Sequence, residues 1–335
     1  MIGEDIKAYK IIHKNDFAYN PARINVGSIA KYNGDNPCMI SSLYVCFKSC
    51  NIVDADWLMQ LLKTSKMNFY YNVNGEGGVR IYLFYPNFAR ISTSYPKIAE
   101  QKKIAKFLSL IDERIATQNK IIEKYESLIQ AMCDTLIERE TQQVALSFSD
   151  FGLSYSGLSR KNAEDFGDGY PFITYMNVYQ NQIIDSTDVG LVKIKETEQQ
   201  SVVHYGDILF TLSSETPEEV GMGAVYLGET YPLYLNSFCF GIHITDGSKI
   251  YPPFLAYYVS SQLFRKAVYP LAQGSTRFNL QKSDFMKKKF PFPMIEKQRK
   301  IYSILNTYSD KLIVEKQIIG LLCSQKRYLL RQLFI

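Results

Sequence analysis

The stretch PKIAEQKKIAKFLSLIDERIATQNKIIEKYESLIQAMCDTLI, residues Pro96–Ile137, returns without a gap as PMIEKQRKIYSILNTYSDKLIVEKQIIGLLCSQKRYLLRQLF, residues Pro293–Phe334. Pro96/Pro293, Ile98/Ile295, Gln101/Gln298, Lys103/Lys300, Ile104/Ile301, Leu108/Leu305, Ile121/Ile318, Ile122/Ile319 and Leu136/Leu333 are identical. Other pairs keep charge or size, such as Arg114/Lys311 and Ile115/Leu312. In the first copy the seam positions Ile104, Leu108, Ile111, Ile115, Gln118, Ile122, Tyr125, Ile129, Met132 and Leu136 fall at alternating steps of four and three, the spacing of a coiled-coil seam. The second copy gives Ile301, Leu305, Tyr308, Leu312, Glu315, Ile319, Leu322, Lys326, Leu329 and Leu333. Both stripes carry a polar residue at the same place, Gln118 and Glu315. After the opening prolines no proline, and only Gly320, interrupts either run, and a proline suits the first turn, where the lost N–H had no partner. The spacing therefore predicts two long helices, each of about 40 residues and roughly 60 Å. Neither buries its stripe alone. An antiparallel pair would place two globular domains at opposite ends; the plainer alternative packs each helix on its own domain.

The repeat continues upstream. Gly77-Gly78-Val79-Arg80 falls on Gly274-Ser275-Thr276-Arg277, Phe88 on Phe285, and Trp57-Leu58-Met59 on Phe254-Leu255-Ala256. With a short insertion in the second copy, Asn15-Asp16-Phe17 corresponds to Gly206-Asp207-Ile208. The copies are unequal, because Thr141–Gln200 precedes the matching region of the second and nothing before Asn15 corresponds to it. The expected organisation is a partial first domain over 1–95, a long helix over 96–140, a complete second domain over 141–292 and a second long helix over 293–335.

Composition narrows the class. A chain of 335 residues with 46% hydrophobic residues supports two or three cored units. The 25 tyrosines and 20 phenylalanines point to mixed or sheet-rich domains rather than disorder. There is no apolar run of the ~18 residues a membrane span needs, and the opening MIGEDIKAYK is acidic where a secretory leader is basic and apolar. A cytoplasmic protein is expected. The 6 cysteines form no Cys-x-x-Cys pair and only 3 histidines accompany them, so free thiols are expected in place of a metal site or disulfides. A net charge of +5 permits an anionic partner without demanding one.

In the second domain strands are read at Tyr170–Val178, Asp207–Leu212, Gly223–Leu227 and Phe238–Ile244, with a helix over about Pro253–Tyr269. The first shows the later part of the same order: Asp16–Tyr19, Val26–Tyr32, Leu43–Phe47, a helix near Asp54–Tyr70, then Gly75–Arg80. Candidate nucleic-acid contacts are basic residues with aromatic neighbours: Arg160, Lys161, Arg277, Lys287, Lys288, Lys289, Arg80 and Arg90. A lysine triplet is equally a solvated edge. The Gly-x-x-Arg pair says more, because it recurs beside a turn and arginine reaches guanine edges or phosphate with two donors. A structural salt bridge kept in both copies would look the same.

No catalytic constellation is visible. Phosphate-loop and dinucleotide glycine motifs are absent, and three scattered histidines give no triad. Asn20-Pro21-Ala22 is superficially similar to the Asn-Pro-Pro-aromatic motif of amino-methyltransferases, but lacks its second proline and aromatic residue. No catalytic residue, metal or cofactor is expected in this chain.

The paired Pro-x-Ile-x-x-Gln-x-x-Ile openings resemble the conserved regions of type I restriction–modification specificity subunits. Phe166–Asn181 (FGDGYPFITYMNVYQN), Asp207-Ile208-Leu209 with the later Gly-x-x-Arg turn, and Asn15–Ser28 (NDFAYNPARINVGS) are similar to recurrent stretches of that family's target-recognition domains. The resemblance covers essentially the whole chain. It implies duplicated α/β (α+β) target-recognition domains separated by two long antiparallel coiled-coil helices that act as a ruler between two halves of a DNA target. It implies double-stranded DNA, two methyltransferase subunits and restriction (translocase) subunits as partners, with the chemistry in those partners and no membrane. Two complete domains are the family norm, so the first domain here reads as shortened at its N-terminus. Self-association into a homodimer would present two complete domains. Two other outcomes are kept open: a coiled-coil adaptor whose domains bind protein, and a truncated, silent specificity allele. A fused catalytic polypeptide would need motifs that the chain lacks.

Overall fold

A computed structural model describes residues 9–78 and 81–334. The chain forms two compact units, one comprising Met1–Ile122 with Val314–Ile335 and the other Glu123–Ile313. The two long helices run over Ile98–Glu138 and Ile295–Leu333. Each contributes residues to both units.

In the first unit, strand β1 (Lys10–Ile12) is followed by β2 (Phe17–Tyr19), β3 (Ile29–Lys31), β4 (Cys38–Ile40) and β5 (Val45–Phe47). β2 lies between β3 and β5, antiparallel to both, and β1 pairs with β4. All three β2 residues are buried, which is why this central strand reads as an unbroken apolar run. Helices Ala55–Leu62 and Ser65–Asn74 follow. Phe17, Tyr19, Trp57, Leu61, Tyr71 and Leu83 form the core, closed by Ala105, Leu108 and Ile111 of the first long helix and Phe334 from the end of the second. The rings of Trp57 and Phe334 are 5.5 Å apart.

In the second unit the strands in order are β6 (Gln143–Ser147), β7 (Gly152–Ser156), β8 (Phe166–Ile173), β9 (Val189–Val192), β10 (Ile208–Thr211), β11 (Ser213–Ser214), β12 (Gly223–Val225), β13 (Tyr234–Leu235), β14 (Cys239–Ile244), β15 (Ala272–Gln273), β16 (Phe278–Leu280) and β17 (Lys289–Pro293). The main sheet has the order β12-β10-β14-β7, with β13-β8-β9, β11-β16-β15 and β17-β6 beside it. Its core is aromatic: Phe148, Phe210, Phe264 and Phe285 stack or meet edge to face. Ile129, Cys133 and Ile137 of the first long helix and Ile301 and Leu305 of the second belong to the same core.

The units share a topology. β3-β2-β5 in one corresponds to β12-β10-β14 in the other, each with its middle strand antiparallel to both neighbours. The turn before each middle strand needs positive φ, supplied by Asn15 (φ 71) and Gly206 (φ 87). Glu76 bridges Tyr82 as Gln273 pairs with Asn279 in the β15–β16 hairpin. Gly274 (φ 133) opens that hairpin, and a Cβ there would lie 2.1 Å from the Arg277 carbonyl oxygen, so the position accepts only glycine. Gly77 (φ 110) holds the same place in the first unit. Nothing among the described residues of the first unit corresponds to β6–β9.

Three readings are corrected. The stretch Tyr170–Val178 is not one strand: β8 ends at Ile173, and Thr174 accepts from the Asn177 N–H to cap a helix, Tyr175–Gln180. Pro253–Tyr269 is two helices, Pro252–Tyr258 and Gln262–Val268, broken where Ser261 accepts from the Phe264 N–H and donates to Tyr258 O. Asp54–Tyr70 breaks at Thr64 by the same device, with Met67 N–H as donor and Leu61 O as acceptor. A hydroxyl that satisfies both a lost carbonyl and a lost N–H makes the break cheap, and apolar periodicity does not register it.

Candidate nucleic-acid interface

Each long helix is seated by one buried glutamine. Gln101 accepts from the Asp54 N–H at 2.8 Å and donates to Ile52 O at 3.0 Å and Pro96 O at 2.8 Å. Gln298 accepts from the Tyr251 N–H at 2.9 Å and donates to Lys249 O at 3.0 Å and Pro293 O at 2.8 Å. Both side chains are fully buried. A side-chain amide supplies the acceptor and two donors this site needs, which a carboxylate cannot.

Along the helices, Leu108, Ile111, Ile129, Ile301 and Leu305 are buried, and Ile104, Ile115, Ile122, Leu312, Ile319, Leu322 and Leu329 are half-buried. In the first unit the contacts run in opposite directions along the two helices: Gln118 meets Glu315, and Lys326 Nζ lies 2.5 Å from Asp112 Oδ1. The pair is antiparallel there. Its outer side leaves Phe107, Leu110 and Leu321 exposed, and a cleft of about 720 Å³ is lined by Phe107, Leu110, Arg114, Ile318 and Leu322.

The basic candidates occupy different surroundings. Arg277 is exposed on the β15–β16 hairpin, its guanidinium 5.9 Å from the centre of the Phe238 ring. Lys287 ends the helix Lys282–Lys287 and lines a shallow groove with Lys282, Gln281 and the exposed Leu153. Lys288 is half-buried. Lys289 opens β17, and after the two hydrogen bonds from Ser147 its charge helps hold the Asp150 carboxyl below the usual range. Lys161 is not free for a ligand: its side chain is 3% exposed, donates to Lys193 O at 2.6 Å and lies 2.5 Å from Glu198. Arg160 is exposed at positive φ (55). In the first unit Arg90 is exposed, and Arg80 lies outside the described residues.

One constellation escaped sequence reading. Asp207 is fully buried at the start of β10 and accepts from the His204 N–H at 2.9 Å, Tyr155 OH at 2.6 Å and His243 Nδ1 at 2.7 Å. His204, Asp207 and His243 place potential ligand atoms within 4.8 Å of one another. Both carboxylate oxygens are already used. In the first unit Asp16 accepts from the His13 N–H at 2.9 Å and has Lys48 at 3.8 Å. By strand register Lys48 stands where His243 does, one residue past the Phe17/Phe47 and Ile208/Ile242 pairs. A basic side chain within reach of a buried acid serves both units, and support of that acid accounts for the cluster. The acid recurs in the repeat, but its partner lies on a distant strand and follows no spacing rule.

A family model described as Type I restriction modification DNA specificity domain matches residues 4–127 and 155–322. Two solved structures are similar in fold. One is the S subunit of a type I restriction–modification system from M. genitalium, at 16% identity and TM-score 0.56, covering 96% of this chain and 83% of that one. The other comes from work on complex assembly and conformational transition of the type I R-M system, at 15% identity and TM-score 0.62, covering 97% of this chain and 83% of that one.

Proposed function

Because the chain belongs to the type I restriction–modification DNA specificity family, we propose that it reads double-stranded DNA in two parts, one part per unit, and does no chemistry itself. Phosphate contacts would supply salt-dependent affinity, and base-edge contacts would supply sequence choice. The observation that carries this reading is the duplication: two units of one topology, each locked to a long helix by the same three glutamine hydrogen bonds. A protein built from two like readers suits a target with two halves. Arg277 is the leading contact, since it is exposed, makes no ion pair with a described residue and sits on a hairpin whose shape Gly274 fixes. Lys287, Lys288, Lys289, Arg160, Arg90 and Arg80 are assigned to phosphate contacts; Lys161, held by Glu198, supports the fold.

Docking of two methyltransferase subunits, and through them of restriction (translocase) subunits, is assigned to the long helices, which leave Phe107, Leu110 and Leu321 exposed. No helix among the described residues is long and apolar enough to cross a membrane, and a cytoplasmic location is part of the proposal. The test is to purify the chain with the methyltransferase subunits and map methylated adenines genome-wide. A two-part motif is expected. Salt-dependent DNA association without any methylation motif would favour a silent allele; no DNA association at all would favour a protein-binding adaptor.

A further inference from the structure

The segment Ser213–Gly221 of the second unit is clamped at three places. Tyr175 OH donates to Ser213 O at 2.7 Å, Tyr179 OH donates to Glu219 Oε1 at 2.7 Å, and the two tyrosine rings stack at 5.9 Å. The half-buried Arg265 gives its guanidinium to three carbonyls: Gly221 at 2.6 Å, and Glu218 and Val220 at 2.7 Å. No carboxylate of a described residue pairs with it, so a charged group is spent on holding main chain. Glu215 and Thr216 remain as an exposed tip on a rigid base.

Beside that tip stands Arg277. β11 and β16 are antiparallel, with Ser213 opposite Asn279 and Ser214 opposite Phe278, so the next positions outward are Glu215 and Arg277. Opposite charges across a strand pair normally meet. Here they do not: Arg277 lies over Phe238, and the Glu215 carboxylate makes no hydrogen bond or ion pair with a described residue. A phosphate clamp would not place Glu215 beside its arginine. A base-reading surface would, because a carboxylate accepts from the exocyclic amine of cytosine while a guanidinium donates to guanine O6 and N7.

Resting on the reading of the chain as a DNA-recognition protein, we propose that Glu215 and Arg277 are a paired base-reading element, with Arg277 taking a guanine and Glu215 a cytosine in the major groove. The clamps at Tyr175, Tyr179 and Arg265 pre-order the loop, so little ordering entropy is lost on binding.

The test uses the complex with its methyltransferase subunits. Methylated-adenine motifs are mapped for wild type, Glu215→Gln and Arg277→Ala, with melting curves run on each. Bases other than the required cytosine should become tolerated in E215Q, and bases other than the required guanine in R277A, with discrimination falling about 10-fold or more. A second arm needs no variant to fold better than another: duplexes carrying 7-deazaguanine at the guanine should lose binding to wild type and lose nothing further with R277A. Unchanged motifs in both variants, or E215Q binding every sequence more tightly at an unchanged motif, would overturn the pairing while leaving DNA recognition intact. A wild-type complex that binds no DNA would instead overturn the functional reading itself.

Discussion

Gln118 donates through Nε2 to the carboxylate of Glu315 and, at 3.2 Å, to its main-chain carbonyl, and Glu315 is the residue that holds the same place in the second copy of the repeat. Two equivalent positions thus meet across an antiparallel helix pair. Gln118 is buried within an otherwise apolar stripe. A polar pair in such a seam is poor for stability and good for register, because any slip leaves both groups without partners. Gln118→Leu should therefore cost about 1–2 kcal/mol by stranding the Glu315 carboxylate. The double variant Gln118→Leu/Glu315→Leu should recover that loss. Urea unfolding of wild type, Gln118→Leu, Glu315→Leu and the double variant as a double-mutant cycle checks it, and additive single effects would remove the pair as a register device.

Gln101 and Gln298 make the next case. Each satisfies three main-chain groups with a fully buried side chain. Replacing either with alanine leaves a buried N–H and two carbonyls unpaired, an expected loss of about 2–4 kcal/mol in that unit. Replacement with glutamate keeps the acceptor but turns the donors into repulsion against two carbonyls, so Glu should be no better than Ala. Limited proteolysis should show Gln101→Ala opening the first unit and Gln298→Ala the second. Equal protection of both units in both variants would contradict this.

These glutamines were visible in the sequence as an identical pair, and so were the helices, because a period of 3.5 residues and a self-match need only one chain to be seen. The matched Gly77/Gly274 turn was visible for a similar reason: positive φ dictates the residue type locally. The rest depends on distant partners. Lys161 looked like a surface base until Glu198 covered it. Glu215 had no mark at all, since its meaning comes from the β11–β16 register. The helix breaks at Thr64 and Ser261 were missed because apolar periodicity carries through a hydroxyl cap unbroken.

The buried acids supply a third prediction. Asp207 is fully buried and His243 Nδ1 lies 2.7 Å from its carboxylate, with Lys48 at the equivalent place beside Asp16. His243→Leu should destabilise the second unit by about 1–3 kcal/mol, discounted from the cost of stranding a fully buried charge because the histidine is half exposed. His243→Lys should restore most of the loss by supplying the first unit's own solution. Melting curves of the two variants decide it. If lysine were as harmful as leucine, the account of His243 as the hydrogen-bonding partner of Asp207 would fail.

Thiol chemistry gives the last. Burial pushes the thiols of Cys133 and Cys239 up to about 12, while Cys50 and Cys323 are exposed. Thiolate is the nucleophile, so at pH 8 the two buried groups are almost wholly protonated as well as shielded. Alkylation of the folded protein should label Cys50 and Cys323 first, and Cys133 and Cys239 only on the timescale of unfolding. Raising the pH to 9 should leave the buried pair slow, since the solution is still far below their titration. Cys133 belongs to the second unit's core and donates to Tyr257 O at 3.3 Å, so its labelling reports opening of that core around the first long helix. Mass spectrometry of a labelling time course with His243→Leu beside wild type then links the two predictions: the variant that weakens the clasp should expose Cys133 and Cys239 sooner. Labelling of Cys133 as fast as Cys50 in the wild-type protein would contradict the packing described for the second unit.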